Sequence, residues 1–327
     1  MSFLSKLFGT SSSENSTTPE QTEANQTRNF NTLRDDGVRA MSMGEIPFAV
    51  KCFEAALEIQ DDLSVKALLA EALFRLGNYE QARQVLAVLA DAEPENTNII
   101  LLLARAEGEL QMYTEMRQTL NRVKADDAQE ISVRYLVAEA DFHTGNAIFA
   151  VATLTQILGE DAEFLPAYLL RARVLVSMGQ GAQAVEDTAH LLELAPENEE
   201  VHHLHAQGLL QTGDLQGAEA AVRRLLELNP FHREASLLLG SILVQSERWS
   251  DALGMWNETI ELQPDFAEAY RERGAVKYKL HNEKGAAEDL KKSLELQPDA
   301  VGAIEGEFSN LENEMNARFK GMNPYGF

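Results

Sequence analysis

Five prolines constrain this chain more than any other feature. Pro94, Pro196, Pro230, Pro264 and Pro298 stand 102, 34, 34 and 34 residues apart, and 102 is three times 34. A spacing held this regularly marks an array of similar modules rather than a globule closed by distant contacts. Prolines are missing where the period expects them at Ala128 and Ala162, yet the rest of the pattern runs through both places. Eight units follow: 30–62, 63–96, 97–130, 131–164, 165–198, 199–232, 233–266 and 267–300, the first one residue short.

Each unit holds two apolar-periodic stretches of helical length, and several turns between them read Gly-Asn, Gly-Asp or Gly-Glu, as at Gly44, Gly77, Gly145 and Gly213. Glycine just past a helix end takes the left-handed cap conformation at low cost. The proline after the second stretch stops that helix. A small residue recurs in the first helix: Gly37, Ala70, Ala104, Ala138, Ala172, Ala206, Gly240 and Gly274. In the second it is Ala49, Ala82, Met116, Ala150, Ala184, Ala218, Ala252 and Ala286, followed four residues on by Phe53, Leu86, Leu120, Leu154, Thr188, Val222, Trp256 and Leu290. Small side chains at a crossing let two backbones approach, and the larger ones interdigitate around them.

These residues resemble the tetratricopeptide repeat (TPR) family, whose signature is a small residue, then Ala-x3-Phe, then Pro at a 34-residue period. The unit "AEAYRERGAVKYKLHNEKGAAEDLKKSLELQPD" fits closely, through Tyr270, Gly274, Ala286, Leu290 and Pro298. The third unit departs most, with Gln111 for the turn glycine and Met116 for alanine, and altered packing is expected there. The resemblance covers residues 30–300 and implies an all-α, right-handed α-solenoid of about eight helix-turn-helix repeats.

Flanking segments differ. Residues 9–29 are Ser, Thr, Asn, Gln and Glu with almost no aliphatics, so residues 1–29 read as a disordered tail with a short apolar patch. Val301, Ile304, Phe308, Leu311, Met315 and Phe319 form one apolar stripe over 301–320, as a helix capping the open end of an array would. Residues 321–327 are a short tail.

The formal charge of −24 argues against nucleic acid as a partner, because such binding needs clustered Lys and Arg. The lone Cys52 cannot form an internal disulfide, which suits a reducing compartment. "FLSKLF" at residues 3–8 is too short for a signal-peptide core or a membrane span and would give only weak membrane contact. A cytoplasmic protein is expected. No phosphate loop, G-x-S-x-G, H-E-x-x-H or C-x-x-C occurs, so neither an enzyme nor a cofactor is indicated. His202, His203 and His205 are the one tempting cluster, but no Cys or carboxylate has ligand spacing beside them, and packed or solvated histidines explain them better than a metal.

What remains is surface. In the family the first helix of each pair lines a concave groove, and the resemblance assigns three rows to it. The first includes Leu101, Tyr135, Leu169, His203 and Leu237; the third includes Met41, Phe74, Gly108, Phe142, Val176 and Leu210. The second reads Val38, Glu71, Arg105, Glu139, Arg173 and Gln207. Alternation of sign suits a ladder of mutual ion pairs; equally, the aromatic and aliphatic residues suit anchors for a partner's peptide or amphipathic helix, with Arg105 and Arg173 holding its carboxylates. The carboxylate clamp of chaperone-docking members is not built, since Val38, Glu71, Arg105 and Glu139 stand where its Asn would fall. The expectation is a non-catalytic adaptor or assembly factor; the alternative is a self-assembling scaffold whose termini dock on other copies.

Overall fold

A computed structural model describes residues 19–298. Two compact units divide the chain, one running to Glu160 and the other from Asp161. The first holds α1 (Pro19–Ser42), α2 (Ile46–Ile59), α3 (Leu63–Arg75), α4 (Tyr79–Ala92), α5 (Thr97–Glu109), α6 (Tyr113–Leu120), α7 (Ile131–His143) and α8 (Ala147–Glu160). The second holds α9 (Leu165–Ser177), α10 (Gly181–Leu194), α11 (Glu199–Thr212), α12 (Leu215–Leu228), α13 (Arg233–Gln245), α14 (Trp249–Leu262), α15 (Ala267–Lys279) and α16 (Glu283–Leu296). From α3 onward, every first helix starts on the first residue of a unit set by the proline period. Within each unit every helix packs on its sequence neighbours, and first helices also meet: α1 with α3, α5 with α7, α9 with α11, α13 with α15. Each unit is therefore an α-solenoid of four helical hairpins.

The eight hairpin turns share one device. A left-handed residue closes each first helix: Gly44, Gly77, Gly145, Gly179 and Gly213, and in the same register Gln111, Glu247 and His281. At the second hairpin, Gly77 N–H donates to Phe74 O and Asn78 N–H to Leu73 O, both at 3.0 Å, satisfying carbonyls the helix leaves open. Asn78 and Asp214 then cap the following helix, accepting from Gln81 N and Gly217 N at 3.4 and 2.9 Å. The Gly-Asn and Gly-Asp pairs thus divide the work: one bends the chain and the other starts the next helix.

Ala70, Ala104, Ala138, Ala172 and Ala206 are fully buried at the crossings, as are Ala82, Ala150, Ala184, Ala218 and Ala252 opposite. Two crossings need glycine because the facing side chain is aromatic. A Cβ on Gly37 would fall 2.5 Å from the Phe53 ring, and one on Gly240 2.2 Å from the Trp256 ring. A polar pairing also repeats: Arg171 binds Asp187 at 2.6 Å and Arg273 binds Asp289 at 2.7 Å, each across its own hairpin.

The third hairpin differs, as its sequence does. Helix α6 has 8 residues where every other second helix has 14. Asn121, a weak helix former, follows it, and a 3-10 turn at Asp127–Gln129 completes the link. Glu107 is buried at a register held by Leu73, Leu175, Leu209 and Leu243 in four other hairpins and by another buried carboxylate, Asp141, in the next one. Burial pushes the Glu107 carboxyl up, against a hydrogen bond with Thr119 and the charge of Arg83.

The N-terminal boundary needs correction. Helix starts at Pro19, so the disordered tail read for 1–29 does not extend through 19–29. Phe30 is buried, and once packing nucleates a helix, each added residue of Gln, Glu or Ala costs little. The "FLSKLF" patch, the capping helix at 301–320 and the tail at 321–327 lie outside the described residues. Among the described residues no helix is long and apolar enough to cross a membrane.

Candidate functional site

Small residues at the crossings, alanines and in α13 Gly240, fix the roll of each first helix, so residues three before, one after and four after each share a face that flanks the crossing. In the first unit that face carries Phe74, Leu101, Arg105, Tyr135, Glu139 and Phe142; in the second it carries Leu169, Arg173, Val176, Leu210 and Leu237. None of the eleven is buried, and Arg105 is exposed. Phe74, Leu101, Tyr135, Leu210 and Leu237 lean partly on the cores beneath them, so the face is half packing and half surface.

Three of the six first-unit residues converge. Arg105, Tyr135 and Glu139 line a slot of about 410 Å³, together with Gly108, Glu109, Gln111 and Tyr113. Its cause is a missing side chain. Along the third row of this unit the residues are Met41, Phe74, Gly108 and Phe142, and glycine interrupts a line of large apolar groups. The lost bulk reappears next door: Met116 occupies the alanine position of α6, and its Sδ would lie 3.3 Å from a Cβ on Gly108.

Aromatic groups border this slot. The Tyr113 ring stacks on His143 at 3.8 Å and 9°, and His143 meets Phe142 at 4.8 Å. On the other side Arg105 lies 5.1 Å above the Phe74 ring, which packs edge-on against Tyr79 at 5.2 Å. Gln111 stands at φ 59°, a backbone region that favours glycine. A slot with ring faces, one guanidinium and two nearby carboxylates can seat a side chain and orient it by charge.

Three charges of the second row have partners outside that row. Glu71 pairs with Arg75 at 2.5 Å in its own helix, Arg173 pairs with Glu200 on α11, and Arg105 uses the Phe74 ring. In the second unit Gln211 Nε2 donates to Val176 O at 2.7 Å. Sequence reasoning missed Glu109, Gln111 and Tyr113 as lining residues. Tyr113 had a signal, because Tyr79 begins α4 just as Tyr113 begins α6.

The histidines face different partners. His202 Nε2 donates to Pro196 O at 2.9 Å, His205 Nδ1 is hydrogen-bonded to Thr188 Oγ1 at 2.8 Å, and Gln207 Nε2 donates to His203 Nε2 at 3.0 Å. Burial lowers the pKa of both His203 and His205, which keeps them neutral. Among the described residues no three His, Cys, Asp or Glu converge as metal ligands. Cys52 is buried, and burial, then Asp36, pushes its thiol up.

Family models described as tetratricopeptide repeat match residues 36–97, 145–208, 203–254 and 240–301. The chain belongs to the tetratricopeptide repeat family. Tetratricopeptide repeats are generally non-catalytic modules that bind peptides or other proteins. No curated protein matches this chain. It is similar to the crystal structure of a tetratricopeptide repeat protein from Parabacteroides merdae, at 15% identity and TM-score 0.59, covering 82% of this chain and 99% of that one. It is also similar to the C-terminal part of a TPR repeat-containing protein from Cytophaga hutchinsonii, at 18% identity and TM-score 0.56, covering 73% and 98%. Both likenesses are of fold. Residues 98–144, which carry the slot, fall between the matched segments.

Proposed function

We propose that this chain is a non-catalytic adaptor or assembly factor of the cytoplasm. Its first-helix face binds a peptide or amphipathic helix of another protein, and the slot at Gly108 receives one side chain of that partner. The observation that carries this reading is the slot itself. The third hairpin gives up a large apolar side chain at Gly108, a turn glycine at Gln111 and almost half the length of its second helix. Local departures from a repeat's own rules concentrate where function needs them. Phe74, Leu101 and Phe142 extend the apolar surface beside the slot, and Leu169, Arg173, Val176, Leu210 and Leu237 are the corresponding contacts of the second unit. The alternative scaffold reading rests on terminal segments outside the described residues, and no observation favours it.

Replacing Tyr135 and Phe142 with Ala is expected to lower crosslinked capture of the partner from native cells at least about tenfold, with helical circular dichroism unchanged. Gly108→Val, which restores the row's bulk, is expected to act the same way. Capture at wild-type level by both variants would eliminate the slot as the binding site.

A further inference from the structure

A cleft of about 590 Å³ opens in the second unit between α12 and α14, with α13 as its floor. Two departures from the repeat pattern make it. At the fourth position of the first helix, hairpin seven carries Ser236, where every other hairpin has a large side chain, Tyr168 and Tyr270 among them. In hairpin five the Tyr168 ring lies 4.7 Å from His190. The equivalents of that pair in hairpin seven are Ser236 and Glu258, and both line the cleft. The cleft thus opens above a buried serine, in the register where a sister repeat carries an aromatic ring.

The second departure is Gly254, in the interior of α14. The same register holds Lys51, Gln84, Gln118, Ala152, Glu186, Ala220 and Glu288 in the other second helices. Glycine is the weakest helix former after proline. A Cβ on Gly254 would meet nothing within 4 Å, so packing inside the protein does not require it, whereas close approach from outside would. Leu226, Leu239, Met255 and Leu262 supply apolar walls. The rim carries Glu227, Asp251 and Glu258 against Arg223, and Arg223 is already bound by Glu219 at 2.8 Å. Arg224 and Arg248 engage Glu227 and Asp251 in exposed pairs, which hold weakly; Glu258 has no such partner among the described residues.

We propose that this cleft is a second docking site, independent of the first-unit slot, for a basic amphipathic segment of another protein. The segment lays one large aromatic side chain among Leu226, Met255 and Leu262, above the buried Ser236, its backbone lies close over Gly254, and its Lys or Arg residues face the acidic rim.

The test uses full-length protein and a fluorescent helical peptide of about 14 residues, four turns, with one central Phe among Ala and Lys. Saturable anisotropy is expected with this peptide, and binding at least about tenfold weaker when Phe becomes Ala or Lys becomes Glu. Ser236→Tyr, which refills the cleft from within, and Gly254→Leu, which blocks it while strengthening the helix, should each weaken the parent peptide by a similar factor. Parent-level binding by both variants, or no saturable binding by wild type, overturns the proposal. So does binding that Tyr135→Ala abolishes and Ser236→Tyr does not, which belongs to the slot. A wild-type dimer that Ser236→Tyr dissociates would assign the cleft to a second copy and overturn the basic segment.

Discussion

At Gly240 and Glu107 single side chains test the packing logic. Trp256 fills the crossing of hairpin seven only because Gly240 has no Cβ. Gly240→Ala should therefore destabilise by roughly 1–3 kcal/mol through overpacking. In a Trp256→Leu background, which copies the Ala70–Leu86 pairing of hairpin two, the same change should cost less than about 0.5 kcal/mol. Urea denaturation of the four proteins measures that coupling, and additive effects would refute the contact. Glu107 is the reverse case, a buried carboxyl at a register that leucine holds in four other hairpins. Glu107→Leu should stabilise by about 1–3 kcal/mol at neutral pH. The sign with pH follows from its raised pKa. The native state holds the proton more tightly than the unfolded chain, so stability from this group is full below the ordinary glutamate value and lost as pH rises through the raised one. The leucine variant should lack that loss, seen as a flatter stability–pH profile above the ordinary carboxylate range.

Among the helical hairpins, the turns show how far a repeat tolerates substitution. Five use glycine in the left-handed conformation, while Gln111, Glu247 and His281 adopt it at φ 59°, 56° and 60°. A side chain there costs about 1–2 kcal/mol, of which glycine's larger unfolded entropy returns roughly half. Glu247→Gly and His281→Gly are each expected to gain about 0.5–1 kcal/mol, measured as a shift in the urea midpoint; no gain at either turn would mean the side chain makes a compensating contact. Gln111 lies in the slot, so the same change there should alter binding as well as stability. Helix length obeys the same local control: α6 stops after 8 residues where its sisters run 14, because Asn121 and the acidic run at Asp126 and Asp127 offer neither helix propensity nor apolar period.

Over the whole molecule, contacts run between sequence neighbours within each unit, so stability is close to a sum of local terms. The third hairpin combines a short helix, a left-handed glutamine and a buried carboxyl. Its amides should exchange with deuterium at least about tenfold faster than those of hairpins two and six, read by mass spectrometry under native conditions. Uniform protection across these hairpins would place the cost of the departures elsewhere. The charge of −24 acts at this scale too: it disfavours polyanions at a distance and favours basic partners, for the slot and the α12–α14 cleft alike.

Prolines at a period of 34, Gly-Asn turns and paired small residues let the helix pairs, their starting residues and their crossings be read without coordinates, because each depends on residues close in sequence. Even the aromatic crossings were written there, as Gly37 with Phe53 and Gly240 with Trp256. The partners of Glu71, Arg105 and Arg173 were not, since long charged side chains choose among several neighbours and the choice depends on which of them the packed helices bring within reach. Nor were the two clefts. Each is space left where Gly108, or Ser236 and Gly254, lack bulk, and whether neighbouring helices close over such a gap or leave it open is settled only when the chain packs.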